Sequence, residues 1–276
     1  MKFAIKSIVV AAAFVAAGAA SAASVTIDNV QTAGDQYVVS GSGALTFSNL
    51  LRSALNTGQV AASTYGDATG TITGSVGAYT ALVISAPITS ITYDDVTGKV
   101  SRVITSGGAK QVAGAVDGVS FGGWVQVGEL DVRFNAAGTG AEIYGNITGK
   151  SDAGTTVSFL GQKLFDVAGY TAKVGGVNTT FAPVVGSTQF TVGTTNTTLN
   201  GLSITTAAFD AISTALDLDT LGSSALSAAA KNFGNINSAL TVTKVSAPAV
   251  PEPSTYALMA LGLVGIGAVA RRRAAK

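Results

Sequence analysis

Residues 129–134 alternate without exception: Leu130, Val132 and Phe134 fall on one face of an extended chain, and Glu129, Asp131 and Arg133 on the other. Successive side chains of a β-strand point to opposite faces, so this pattern specifies a strand with one face buried and one face wet. Antiparallel sheets are the ones that keep a face in water. A chain committed to such strands must bury the apolar face against a second sheet or curl the sheet onto itself.

Much of the chain reads the same way. Segments 37–40, 81–85 and 88–93 are β-branched and partly alternating, and 99–105, 124–127, 142–147, 155–160, 164–167, 189–192, 199–204 and 239–245 continue the series of strands. Asp94, Asp95 and Gly98 lie between two of them and mark a hairpin turn. Only 11% of residues are charged and 34 are glycine, so surface polarity comes mainly from Ser and Thr hydroxyls. Short strands at this spacing, with no repeat of fixed period, predict a mainly β domain, an antiparallel sandwich or barrel. Two or three short helices interrupt it. Ser48 caps a helix over 49–56, with Leu51 and Leu55 one turn apart and Gly58 beyond its end. A second runs over 206–218 with Phe209, Ile212 and Leu216 on one stripe, and 223–233 is a third, alanine-rich candidate.

The chain contains no histidine and no cysteine. Thiol and imidazole catalysis are therefore absent, disulfides are absent, and zinc or iron–sulfur sites lose their usual ligands. The expectation is no cofactor, no metal and no enzyme. Paired carboxylates are the catalytic option left, with Asp94, Asp95, Glu129, Asp131 and Glu142 as candidates. Turn chemistry accounts for the first two, and a solvated strand face for Glu129 and Asp131 beside Arg133. Residues 217–222 resemble the start of a calcium loop, but Leu221 and Ala228 stand where ligands belong. Tyr79, Tyr93, Tyr144, Tyr170 and Trp124 are candidates for a ligand platform or, more commonly for aromatics in strands, for core. Sequons at Asn146, Asn178 and Asn196 fit chance in a Thr- and Asn-rich chain.

Both ends read as addresses. Lys2 and Lys6 precede an apolar stretch, and Ala20-Ser21-Ala22 supplies small residues for cleavage after Ala22 or Ala23; segment 1–22 is a secretory signal peptide. An uncleaved anchor helix is the rival, disfavoured by the short apolar core. At the other end, Pro251-Glu252-Pro253 is followed by the uncharged run 256–270 and by Arg271-Arg272-Arg273. With the residues that flank it the run approaches the ~20 apolar residues needed to span a bilayer, and the arginines place the C-terminus in the cytoplasm. A buried helix is the bland alternative, but Gly262, Gly265 and Gly267 make it poor in water.

Six of the 16 basic residues (Lys2, Lys6, Arg271, Arg272, Arg273, Lys276) and one of the 15 acidic ones (Glu252) lie in these ends. That leaves 10 and 14, a net charge of −4. A mildly acidic domain without a basic stripe does not bind nucleic acid. Domain organisation follows: signal peptide 1–22, exported β-rich domain 24–246, linker and Pro-Glu-Pro motif 247–253, and transmembrane helix with basic tail 254–276.

The Pro251-Glu252-Pro253 motif, apolar helix and arginine cluster together resemble the PEP-CTERM sorting signal of exported Gram-negative proteins. The resemblance covers about 27 residues and implies processing by an exosortase, a membrane protease/transpeptidase that recognises the motif and removes the tail. Two prolines keep the motif out of the following helix and extended, as a protease cleft requires. Implied partners are the secretion translocon, signal peptidase, exosortase and the membrane through residues 254–273. The resemblance also makes exopolysaccharide a candidate partner, because the family is associated with biofilm production. The expected role is a non-catalytic protein, first anchored in the inner membrane and then on the cell surface or outside the cell. The alternatives are a glycan- or small-ligand-binding β module and a carboxylate-dependent hydrolase.

Overall fold

A computed structural model describes residues 24–28, 36–94, 100–135, 140–173 and 189–245. Twelve strands form one antiparallel sheet. They are β1 (Ser24–Asp28), β2 (Gln36–Phe47), β3 (Ala61–Tyr65), β4 (Thr69–Thr73), β5 (Ala81–Asp94), β6 (Val100–Thr105), β7 (Gly108–Ala113), β8 (Gly123–Phe134), β9 (Ala141–Ser151), β10 (Thr156–Lys173), β11 (Gln189–Ile204) and β12 (Gly234–Val245). Among the described residues there are three helices: α1 (Asn49–Thr57), α2 (Thr206–Ala215) and α3 (Thr220–Ala229).

Eight of the strands close into a barrel. Around the ring β5 pairs β2, then β12, β11, β10, β9, β8 and β6, and β6 returns to β5. The closing contacts are Arg102↔Arg133 to Ile104↔Asp131 on one side of β6 and Ile88↔Thr105 to Tyr93↔Val100 on the other. Closure removes the open edges that would otherwise template pairing with another chain. Barrel, rather than sandwich, is thus the architecture of the β-rich domain.

Several short apolar runs merge into long strands. Segments 81–85 and 88–93 are both β5, which continues through Pro87; 124–127 and 129–134 are both β8; 155–160 and 164–167 are both β10; and 189–192 and 199–204 are both β11. Register shifts account for the interruptions in β8 and β10, where the ladder passes a bulge and resumes. The β8 bulge centres on Glu129, whose φ of 50° is unusual for a residue with a Cβ. It is held reciprocally: Glu129 N–H donates to the Gly107 carbonyl at 3.1 Å, and its carboxylate accepts from Gly107 N–H at 2.8 Å.

Strand β9 shows how the inner and outer faces separate. Ala141, Ile143, Gly145, Ile147, Gly149 and Ser151 are buried, whereas the residues between them are half-buried or exposed. The interior is filled mostly by Leu, Ile, Val and Phe from every side, with Phe165 and Phe233 rings 5.2 Å apart. Burying such side chains is the main favourable term for a chain without disulfides.

The helices gather at one rim. Ser48 accepts from Leu51 N–H and starts α1, whose Leu51 and Leu55 are buried as the helical spacing predicts. The single helix expected over 206–218 is shorter. Leu216 caps α2, Asp217 takes φ 47°, and Asp219 accepts from Thr220 N–H to open α3. Helix termination, not calcium, explains these aspartates. Helix α2 covers the inward face of β8–β10 at this rim. Gly149 permits that approach, since a Cβ there would stand 2.6 Å from Ala215 Cβ. The opposite rim carries the ends of the other hairpins and both ends of the described chain: Ser24 pairs with Asp94, and Val245 with Gln36.

Candidate functional site

The sorting residues Pro251, Glu252 and Pro253, the arginines Arg271, Arg272 and Arg273, and the cleavage residues Ala20 and Ala22 lie outside the described residues. So does the 254–276 span. Among the described residues no helix is long and apolar enough to cross a membrane. Strand β12 delivers the chain to the sorting region from the rim opposite the helices, with β1 beginning at the same rim.

Asp131, Glu142 and Arg133, from the carboxylate candidates and their neighbours, meet on the outer wall of the barrel. Asp131 accepts from Arg102 Nε and Nη2 at 2.6 and 2.9 Å, and from Arg133 Nε and Nη2 at 2.9 and 2.7 Å. Burial tends to raise the Asp131 pKa, but hydrogen bonds and charge from the two guanidinium groups outweigh it and lower the value overall. Arg133 also stacks over the Tyr144 ring, with its guanidinium carbon 3.9 Å from the centroid. Glu142 accepts from Lys163 Nζ at 2.7 Å and from Tyr144 Oη at 3.1 Å, and these bonds hold its pKa below the usual range. Lys163 bridges to Asp166 at 2.6 Å as well, and the bonds to Asp166 and Glu142 raise its own pKa.

This is a cross-strand charge ladder over β6, β8, β9 and β10. Asp131, Glu142 and Asp166 each face a cation, and the last two share Lys163. Carboxylates held ionised in this way are poor proton donors, which is the role a glycosidase acid must fill. Glu129 serves the bulge. The side chain of Asp94, and all of Asp95, lie outside the described residues.

The aromatic candidates that are described have separate surroundings, and Tyr93 is partly buried against the core. Tyr79 is buried at 5% exposure and its hydroxyl accepts from Ala62 N–H at 3.0 Å. Trp124 lies under the Lys110 ammonium, 5.3 Å from the ring centroid, while Tyr144 carries Arg133. The Tyr170 side chain lies outside the described residues. Asn146 uses its Oδ1 to accept from Gly161 N–H; Asn178 and the Asn196 side chain are outside the described residues.

The feature that sequence reading missed is the barrel lumen. It holds a cavity of about 80 Å³ lined by residues of seven of the eight barrel strands, including Leu45, Ile88, Val103, Leu130, Phe165 and Leu240. Among the described residues, none that lines it is charged. The inward faces of the strands were readable from their alternation; that they converge on one common space was not. The one local signal was a polar residue, Gln111, on an inward position of a strand, and β7 itself was not recognised.

A PEP-CTERM protein-sorting motif matches residues 249–273. Comparisons with curated proteins and with solved structures returned no match. The matched segment begins four residues after β12 ends.

Proposed function

Starting from the PEP-CTERM motif it carries at 249–273, we propose that this chain is an exported, exosortase-sorted, non-catalytic protein of the cell surface or extracellular matrix. The motif carries the reading: it implies an exosortase as processing partner and a membrane-anchored precursor. The signal peptide reading of 1–22 supplies export, and the arginines at 271–273 supply the stop that keeps the C-terminus inside. A β-barrel whose eight-stranded ring is closed, with only the short strands β1, β3 and β4 left at its margins, suits a protein stored outside the cell among other chains. Occupied carboxylates on the outer wall, and the lack of histidine and cysteine, support a non-catalytic role. Exopolysaccharide is the partner proposed for the delivered protein.

The geometry of the two rims fits this route. Because β1 begins and β12 ends at the rim away from the helices, the barrel stands on that rim while anchored and presents its helical end outward. Intact mass and location in the native host, with and without an active exosortase, test the reading. Loss of the tail near Pro253, dependent on the protease, together with appearance outside the inner membrane, is the expected result. A full-length protein retained in the inner membrane in both strains refutes it. Replacing Pro251, Glu252 and Pro253 by alanine reproduces the protease-deficient outcome.

A further inference from the structure

We propose that the barrel lumen is a binding site for one small, uncharged, mainly apolar molecule carrying a hydrogen-bonding group. Three observations lead there. The first is space: about 80 Å³ is far more than the ~10–15 Å³ that one water needs, in an interior where voids of that size are few. An eight-stranded barrel is the size at which the interior is either filled by side chains or holds one small ligand. Gly43 keeps part of this space open, for a Cβ there would meet only Ile236 Cγ2 at 3.7 Å and Thr105 Cγ2 at 3.8 Å.

The second is an unpaired polar group. Gln111 is 9% exposed, points inward from β7 and lines the cavity, yet its amide makes no hydrogen bond to any described residue. The amide is not fully buried, as the unpaired Ser90 and Ser213 hydroxyls are, so it keeps accessible surface that a hydrogen-bonding occupant of the lumen can reach. Thr197 and Ser238, paired across β11 and β12, line the same space, and neither hydroxyl bonds to a described residue. Thr105 differs: its hydroxyl is bound to the Leu130 backbone and is not available.

The third is charge. Among the described residues the lining carries no Lys, Arg, Asp or Glu, so a carboxylate or ammonium ligand would lose its hydration without a counter-charge. A neutral alcohol, ketone or amide on a short hydrocarbon frame meets all three conditions. An apolar pocket with a few convergent polar groups is the usual construction of a small-molecule site. The inference goes beyond the sorting role and does not depend on it.

The test uses the protein isolated from its own cells, in whatever processed form it takes, titrated calorimetrically with n-butanol, n-hexanol, benzene and hexanoate at neutral pH. The expected result is saturable one-to-one binding of the alcohols and benzene and none of hexanoate. Gly43→Val fills the lumen and abolishes binding while the melting transition persists. Gln111→Leu, close in volume, weakens the alcohols about tenfold and leaves benzene unchanged, as loss of one hydrogen bond predicts. Absence of saturable heat with every neutral probe would overturn the proposal, leaving the lumen to water only. Equal binding of hexanoate and hexanol, or unchanged hexanol binding by a folded Gly43→Val protein, would overturn it as well.

Discussion

Replacing Asp131 by asparagine isolates the centre of the outer charge ladder. The Asp131 side chain is only 12% exposed, and its two oxygens receive four N–H donors from Arg102 and Arg133. Asparagine keeps one acceptor oxygen but sets an NH2 donor against guanidinium donors and removes the negative charge between two cations. Hydrogen bonds to charged groups are worth ~1.5–3 kcal/mol when a partner is removed. Arg102 and Arg133 are 42% and 47% exposed and regain water, so the cost falls toward the low end, ~2 kcal/mol. For a domain of this size that is a fall in Tm of ~4–8 °C.

The pH dependence supplies a second signature. The Asp131 pKa is lowered in the folded state, so its contribution is present above the unfolded carboxylate pKa. It is lost as pH falls through the folded value. Melting curves followed by circular dichroism at neutral and acid pH should show a gap between wild type and Asp131→Asn that closes in acid. A variant that melts within about 1 °C of wild type at neutral pH, against the ~2–4 °C expected per kcal/mol, would refute the reasoning. So would a gap that stays constant into acid.

Gly149→Ala should lower the urea midpoint by the equivalent of ~1–3 kcal/mol, because the new Cβ meets the Trp124 carbonyl oxygen at 2.5 Å and Ala215 Cβ at 2.6 Å. Adding Ala215→Gly should recover part of that loss, and no recovery would place the strain elsewhere. Phe165→Ala empties a site that is 2% exposed and packed on Phe233, and should cost ~3–5 kcal/mol by the same measurement. Tyr65 has its pKa pushed up to about 12, first by burial and then by the Glu129 charge. Folded protein therefore holds that proton more tightly than unfolded chain, and stability is lost as pH rises from 10.0 towards about 12. Tyr65→Phe should remove this part of the alkaline loss, read from melts alongside phenolate absorbance.

Much of the local structure was legible from residues alone. Alternation in 129–134 placed Leu130, Val132 and Phe134 inward and Arg133 outward as observed, but Asp131, expected on the solvated face, is buried under Arg102 and Arg133, which take up its charge; Ser48 with Leu51 and Leu55 located α1. These signals are local: a strand's two faces and a helix cap depend on neighbours a few residues away. Strands β1, β3, β4 and β7 were not legible. β4 is exposed along its whole length and so has no buried face to leave a pattern, and β7 is short, with Gly108, Ala109 and Ala113 in place of larger apolar residues. The C-terminal sorting motif was legible in full, because a protease reads it as a linear sequence.

What the fold alone decided is closure and its consequences. An apolar/polar alternation is the same whether a sheet stacks on another or curls onto itself, so residues 99–105 announce a strand without announcing that it joins β5 to β8. That junction pairs residues close in sequence on one side and about thirty apart on the other, and loop-closure entropy for such pairings is met only by the assembled core. Gln111, Thr197 and Ser238 likewise look like ordinary polar positions on three separate strands. Closing the barrel turns them inward onto one apolar space, and only there does an unpaired amide become a reason to expect a ligand.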